Sequence, residues 1–167
     1  MSKFELFILP DQSRKYFNHI VKSYLGTYEV TNPELIGLFF RDARNTWITR
    51  QFNFAERLTW SAGFVYSMLK KSGKDLKYFP PAECVRAKSY IPESEGGLLK
   101  AKNVRLDTAK EGDIIVLKRG KNKYHVGTFV DYDNEFIFVR GGNQNNRVKV
   151  SKYPLERLVS IADYDTI

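Results

Sequence analysis

The spacing of apolar residues changes at about Glu111. Before it, apolar side chains recur every three or four residues, as on one face of an α-helix, and after it they form short runs separated by turn-forming residues. Helices that precede an antiparallel sheet are typical of an α+β domain. We therefore predict N-terminal helices packed on an antiparallel β-sheet meander, within a single domain of residues 1–167.

Three helices are predicted in the first half of the chain. The first covers residues 11–25 and ends at Gly26. The second opens with Asn32 and Pro33, because Asn is a favoured N-cap and Pro a favoured first helical residue. The third begins near Trp60 and ends near Ser72, and a short, partly apolar helix is expected around Cys84.

Four strands are predicted in the second half, at residues 114–117, 126–130, 136–139 and 148–150. Their connections read "KRGKNK", "DYDNE" and "GGNQNN". Segments of this length and composition favour hairpins, so the strands should pair in chain order. Residues 92–111, which contain Pro and Gly and many charges, are predicted to form a long surface loop with at most one short element.

The charge of the chain favours an anionic neighbour. Its 27 Lys and Arg exceed its 19 Asp and Glu, which gives a formal charge of +8. Such an excess suits nucleic acid, an acidic cell-wall polymer or lipid headgroups, although it also serves simply to keep a small domain in solution.

Several classes of protein are disfavoured by the composition. One cysteine, Cys84, excludes an internal disulfide, and the two histidines, His19 and His125, have no nearby cysteine with which to bind zinc. No stretch approaches the roughly 20 apolar residues of a membrane span. Pro10 and Asp11 interrupt the first apolar run, so no signal peptide is expected. We expect synthesis in the cytoplasm and delivery by another route.

Three polar residues lie where they could form a catalytic site. Ser61 is predicted at the start of a helix, where free backbone N–H groups stabilise a nucleophile and an oxyanion. His125 begins a strand and could act as the base, and Asn143 could orient its ring. Taken one at a time, these residues are also consistent with a helix cap, a structural histidine and a turn.

The order of the motifs resembles a known family. "TWSAGFVYSML", "EGDIIVLKRG", "YHVGTFV" and "RGGNQNN" follow one another along the chain. This arrangement resembles the CHAP-type papain-like cysteine amidases and endopeptidases, which cleave amide bonds in bacterial peptidoglycan. The likeness covers about residues 55–161, which would form the papain-like core, and residues 1–54 would form an N-terminal helical part.

The resemblance implies a role for each motif residue. Ser61 takes the position of the nucleophile, His125 that of the general base and Asn143 that of the orienting residue. The same likeness implies substrate contacts at Trp60, Ala62, Tyr124 and Gln144, and it implies no cofactor or metal. Core packing is an equally good explanation for Trp60.

The chain departs from the family at the nucleophile, where Ser61 replaces a cysteine. A serine hydroxyl cannot be held as an anion in the way that a thiolate can. Four explanations stay open: a natural relative that no longer cleaves, an engineered exchange of Cys for Ser, a working serine nucleophile, or a substitute nucleophile at Cys84.

Two functions follow from the sequence. The first is a peptidoglycan amidase or endopeptidase. The second is a non-catalytic pseudoenzyme that binds the cell wall or serves as a structural component of a phage particle or secretion assembly. Aromatic residues expected at the mouth of the cleft, Tyr78, Phe79 and Tyr90, favour the second.

In either case the protein would act at the cell wall or within a virion, with peptidoglycan, an anionic wall polymer or other assembly subunits as partners. Nucleic acid is disfavoured because no binding signature accompanies the basic segments.

Overall fold

The structure, a computed structural model, describes residues 10–45 and 59–167. It confirms the α+β arrangement, with helices and a five-stranded antiparallel sheet. The predicted boundary between residues 54 and 55 and the apolar run that ends at Leu9 lie outside the described residues.

The longer helices agree closely with their predicted positions. They are α1 (Pro10–Ser23), α2 (Pro33–Asp42) and α3 (Ser61–Lys71), followed by the short α4 (Pro81–Cys84). Asn32 precedes α2 as predicted, but its side chain does not cap the helix. Its Oδ1 instead accepts a hydrogen bond from the Tyr28 N–H at 3.1 Å.

Short 3-10 helices occupy several of the connections. Two of them, Glu93–Glu95 and Leu106–Thr108, lie in the segment predicted to contain at most one short element. The others are Ala87–Tyr90, Leu155–Arg157 and Tyr164–Thr166. A single turn of this kind leaves little periodicity in a sequence, which is why the pattern did not predict it.

The sheet comprises β1 (Ile114–Gly120), β2 (Lys123–Tyr132), β3 (Phe136–Gln144), β4 (Arg147–Pro154) and β5 (Leu158–Ala162). Its strand order is β4-β3-β2-β1-β5. The first four strands pair in chain order, as predicted, whereas β5 was not predicted and pairs with the free edge of β1. The strands extend into the segments that were expected to be turns, so Gly141 to Gln144 belong to β3.

Two apolar clusters lie on opposite faces of the sheet. The helix-side cluster joins α1, α2 and α3 to Ile114, Val116 and Val126. The far-side cluster contains Ile115 and Leu117, with strand and loop residues on the other face. This division follows from the alternation of side chains along β1, whose first four residues are all buried.

An ionic contact joins the two ends of the chain. Arg14 of α1 donates to Asp113 at 2.8 Å and to Asp163 at 3.0 Å. The Asp113 carboxylate also accepts from the Tyr164 N–H at 3.0 Å. The Gly-Asp motif before β1 therefore supplies a structural anchor for α1 and the C-terminal segment.

Candidate functional site

Helix α3 begins without a side-chain cap. Trp60 is its N-cap residue, and its indole Nε1 donates to the buried Glu29 carboxylate at 2.7 Å. The first intrahelical bond joins the Phe64 N–H to the Trp60 carbonyl at 3.0 Å. The N–H groups of Ser61, Ala62 and Gly63 therefore have no partner within the helix.

A glycine allows β3 to approach this first turn. A Cβ atom at Gly142 would lie 2.5 Å from the Trp60 indole and 3.0 Å from the Phe64 Cβ. Any larger residue would push the strand away from the helix. The end of β3 is thereby held against the start of α3, which brings the predicted motifs together.

His125 is held by Gln144. The His125 Nε2 and Gln144 Oε1 atoms are 2.9 Å apart, and the Tyr153 hydroxyl donates to the same Oε1 at 3.1 Å. The Gln144 amide nitrogen donates to the carbonyls of Val139 and Lys149. Because both of these carbonyls can only accept, the amide nitrogen of Gln144 must face them. Its oxygen, Oε1, therefore faces His125.

This arrangement determines the tautomer of His125. Because Oε1 of Gln144 can only accept, the His125 Nε2 atom must carry the proton. In the neutral ring, Nδ1 is then the basic atom. Burial lowers the pKa of His125 to about 4, with a further lowering by the positive charge of Arg119, so the ring is neutral near pH 7.

The predicted orienting residue, Asn143, does not reach His125. Asn143 adopts a left-handed backbone conformation, with φ of 58°, and the pairing of β3 with β4 is irregular between Gly141 and Gln144. This bulge turns Gln144 onto the far side of the sheet, where His125 lies. Asn143 serves as a backbone bulge, and the partner of His125 is the next residue.

Ser61 and His125 are not joined. The side chains of Tyr124 and Val126 contact the helix-side cluster. His125 lies between these two residues in β2, so its side chain points to the opposite face of the sheet. There it is paired with Leu117 of the far-side cluster, and the centre of its ring lies 5.6 Å from that of Tyr153, which packs against the same cluster. The hydrogen bonds of the described residues include none between Ser61 and His125.

Ser61 instead lines a cleft of about 580 Å³. We call it the basic cleft and define it by Ser61, Arg86, Lys88, Arg119, Lys123 and Tyr124. His125 is not among its lining residues. The Lys88 ammonium lies 5.7 Å from the centre of the Tyr124 ring, on the cleft wall.

The other predicted contact residues divide between the cleft and the core. Tyr124 lines the cleft, whereas Trp60 and Ala62 are buried in the helix-side cluster. The prediction of three exposed aromatic residues at the cleft mouth is wrong for two of them. Phe79 and Tyr90 are buried, and of the three only Tyr78 is exposed.

Cys84 is fully buried, next to the guanidinium of Arg44. It is not among the residues that line the basic cleft. Its burial indicates that Cys84 serves as a small residue of the core.

Sequence reasoning did not predict that basic side chains would line a cleft together with Ser61, and it missed Tyr153. The basic side chains come from two separated segments, residues 86–88 and the β1–β2 hairpin, so no local motif contains all of them. The pairing of β3 with β4 could have indicated Tyr153, because Tyr153 lies in β4 on the same face of the sheet as Gln144 at the end of β3.

Within residues 10–45 and 59–167, no cluster of metal-binding side chains is present. None of the helices described there is long and apolar enough to cross a membrane. Comparison with protein-family models, curated proteins and solved structures gives no match to this chain.

Proposed function

We propose that this chain is a non-catalytic domain that binds bacterial cell-wall material through the basic cleft. The observation that carries the proposal is the separation of Ser61 from His125. The only histidine that could serve as the base is buried, hydrogen-bonded to Gln144 and not hydrogen-bonded to the serine.

A serine nucleophile needs a base within hydrogen-bonding distance. The hydroxyl of Ser61 is far too weak an acid to ionise near neutral pH, so its proton must pass to a neighbouring group during the attack. Nδ1 of His125 is a weak base because burial lowers the pKa of the ring to about 4. Both the geometry and the basicity therefore disfavour hydrolysis.

The resemblance to peptidoglycan hydrolases supplies the cell wall as the expected partner. The basic cleft supplies a surface suited to it, since bacterial walls carry anionic polymers. Delivery within a phage particle or a secretion assembly belongs to the same proposal, because either would carry the domain to the wall.

One set of observations favours a peptidoglycan amidase or endopeptidase as the second candidate. Ser61 faces the cleft from the first turn of α3, where three N–H groups lack intrahelical partners, and His125 carries its proton on Nε2. A movement that brought Nδ1 to Ser61 would assemble a nucleophile, a base and an oxyanion site.

The two candidates separate in an assay of muropeptide release. Purified peptidoglycan is incubated with the natural protein and with Ser61→Cys, and soluble fragments are measured by chromatography. We expect neither protein to release fragments, while both sediment with the wall in a saturable manner. Release by either protein would refute the non-catalytic proposal, and absence of sedimentation would refute the binding function.

A further inference from the structure

All the charged side chains that line the basic cleft are positive. They are Arg86, Lys88, Arg119 and Lys123. Among the described residues only Arg86 has an acidic partner, Glu83, at 3.1 Å. Lys88, Arg119 and Lys123 form no ion pair within that part of the chain. Four cations offset by a single carboxylate leave a positive potential in the cleft, which is relieved when an anion binds.

The start of α3 adds directed hydrogen-bond donors to this charge. The N–H groups of Ser61, Ala62 and Gly63 have no intrahelical partner, and the helix dipole places partial positive charge at the same end. This helix of 11 residues is long enough to develop that dipole.

The Ser61 hydroxyl adds a side-chain donor at the same end of the cleft. The residue is only 4% exposed, and it lines the cleft. Its Oγ makes no hydrogen bond to any residue in the described ranges. Because Ser61 lines the cleft, its hydroxyl can donate a hydrogen bond to an anion bound there.

We propose that the basic cleft binds a phosphate group, which accepts hydrogen bonds from Ser61 and the first N–H groups of α3 and is neutralised by Arg119 and Lys88. A tetrahedral phosphate has several acceptor oxygens and can therefore satisfy a hydroxyl, N–H groups and a guanidinium together. Guanidinium groups such as those of Arg86 and Arg119 bind phosphate with two parallel hydrogen bonds.

The size of the cleft favours a ligand with more than one phosphate. Its volume of about 580 Å³ lies in the range of clefts that hold small molecules, about 300–1,000 Å³, and far exceeds the volume of a single ion. The ligand class that fits is a phosphodiester polymer of the cell wall. The choice of polymer rests on the proposed function, whereas phosphate binding rests on the cleft alone.

The first experiment is calorimetric titration with inorganic phosphate and with a short oligomer of glycerol phosphate. We expect both to bind, the oligomer more tightly, and binding to weaken as salt is added. Arg119→Gln and Lys88→Gln should each weaken binding by at least about tenfold, because each removes one charge-assisted contact. The control variants Lys15→Gln and Lys77→Gln remove exposed charges elsewhere, and they should leave the affinity within about twofold.

A second variant separates loss of binding from loss of folding. Ser61→Asp places a negative charge at the start of α3, where it interacts favourably with the helix dipole and the cleft cations. We expect its melting temperature to equal or exceed that of the natural protein, and phosphate no longer to raise it. If phosphate stabilises Ser61→Asp as much as the natural protein, the site does not involve Ser61 and the assignment is wrong.

The remaining outcomes distinguish this site from the wall-binding proposal. If phosphate binds but the protein ignores intact walls, the phosphate site stands and the wall function fails. If the protein binds walls that have been stripped of phosphate polymers, and phosphate does not compete, the wall function stands and the phosphate site is wrong. Tighter binding to carboxylate peptides or to single-stranded oligonucleotides than to the glycerol phosphate oligomer would overturn the choice of polymer.

Discussion

Acidification should destabilise this protein through His125. In the unfolded chain, the imidazole has a pKa of about 6.5, whereas in the folded protein burial lowers the pKa to about 4. Between these two values the unfolded state binds more protons than the folded state. Above about pH 6.5, His125 does not reduce the free energy of unfolding. As the pH drops from about 6.5 towards 4, protonation of His125 in the unfolded chain lowers that free energy.

The magnitude follows from the difference between the two pKa values. At about 1.4 kcal/mol per pH unit, the full loss is about 3 kcal/mol, and about 2 kcal/mol of it occurs between pH 7.5 and pH 5. Ending the series at pH 5 keeps most carboxyl groups ionised, so His125 is expected to dominate the change.

Urea unfolding at pH 7.5, 6.5, 5.75 and 5 measures this loss. Stability should fall by about 2 kcal/mol in the natural protein and in His19→Gln, which removes an exposed histidine, but by much less in His125→Gln. In the natural protein, the NMR signal of the His125 ring should show no titration above about pH 5. A His125 signal that titrates near pH 6.5, or an equal fall in stability in His125→Gln, would refute the burial argument.

Two further substitutions test the contacts that hold α3. Gly142→Ala should lower stability by about 1–3 kcal/mol, because its Cβ would overlap Trp60, whereas Gly120→Ala, whose Cβ meets nothing within 4 Å, should cost much less in the same urea assay. Glu29→Ala should cost about 1–3 kcal/mol, because it leaves the Trp60 Nε1 buried without its acceptor. Glu29→Gln keeps an acceptor, so an equal loss in both Glu29 variants would contradict the hydrogen-bond explanation.

The main helices and the sheet class were predictable because their signals are local. The apolar stripe of α1 and the Asn-Pro start of α2 are read from a few neighbouring residues. The fifth strand, Leu158–Ala162, gave no comparable signal, since it is short and has no hairpin turn before it. Its place beside β1 is set by long-range pairing, which one segment of sequence does not reveal.

The elements that carry Ser61 and His125 were predictable, but the contacts of these residues were not. The motifs correctly indicated that Ser61 opens a helix and that His125 lies in a strand. They did not reveal the bulge at Asn143, which places the Gln144 side chain on the face of the sheet where His125 lies. A single residue with a left-handed backbone conformation therefore changed which amide holds the histidine.

A serine at position 61 and the burial of His125 are consistent with each other in a domain that does not catalyse hydrolysis. A papain-like site depends on a thiolate paired with a positively charged imidazole, and a ring with a pKa of about 4 carries almost no charge near pH 7. Introducing sulfur with Ser61→Cys would thus supply a nucleophile without the imidazolium that activates it. Catalysis would also require His125 to leave the far-side cluster and Gln144. A phosphate ligand needs neither change, because its contacts are the first turn of α3 and the side chains of Lys88 and Arg119. The cleft therefore lacks the base that hydrolysis requires, but it has the donors and the positive charge that an anion needs.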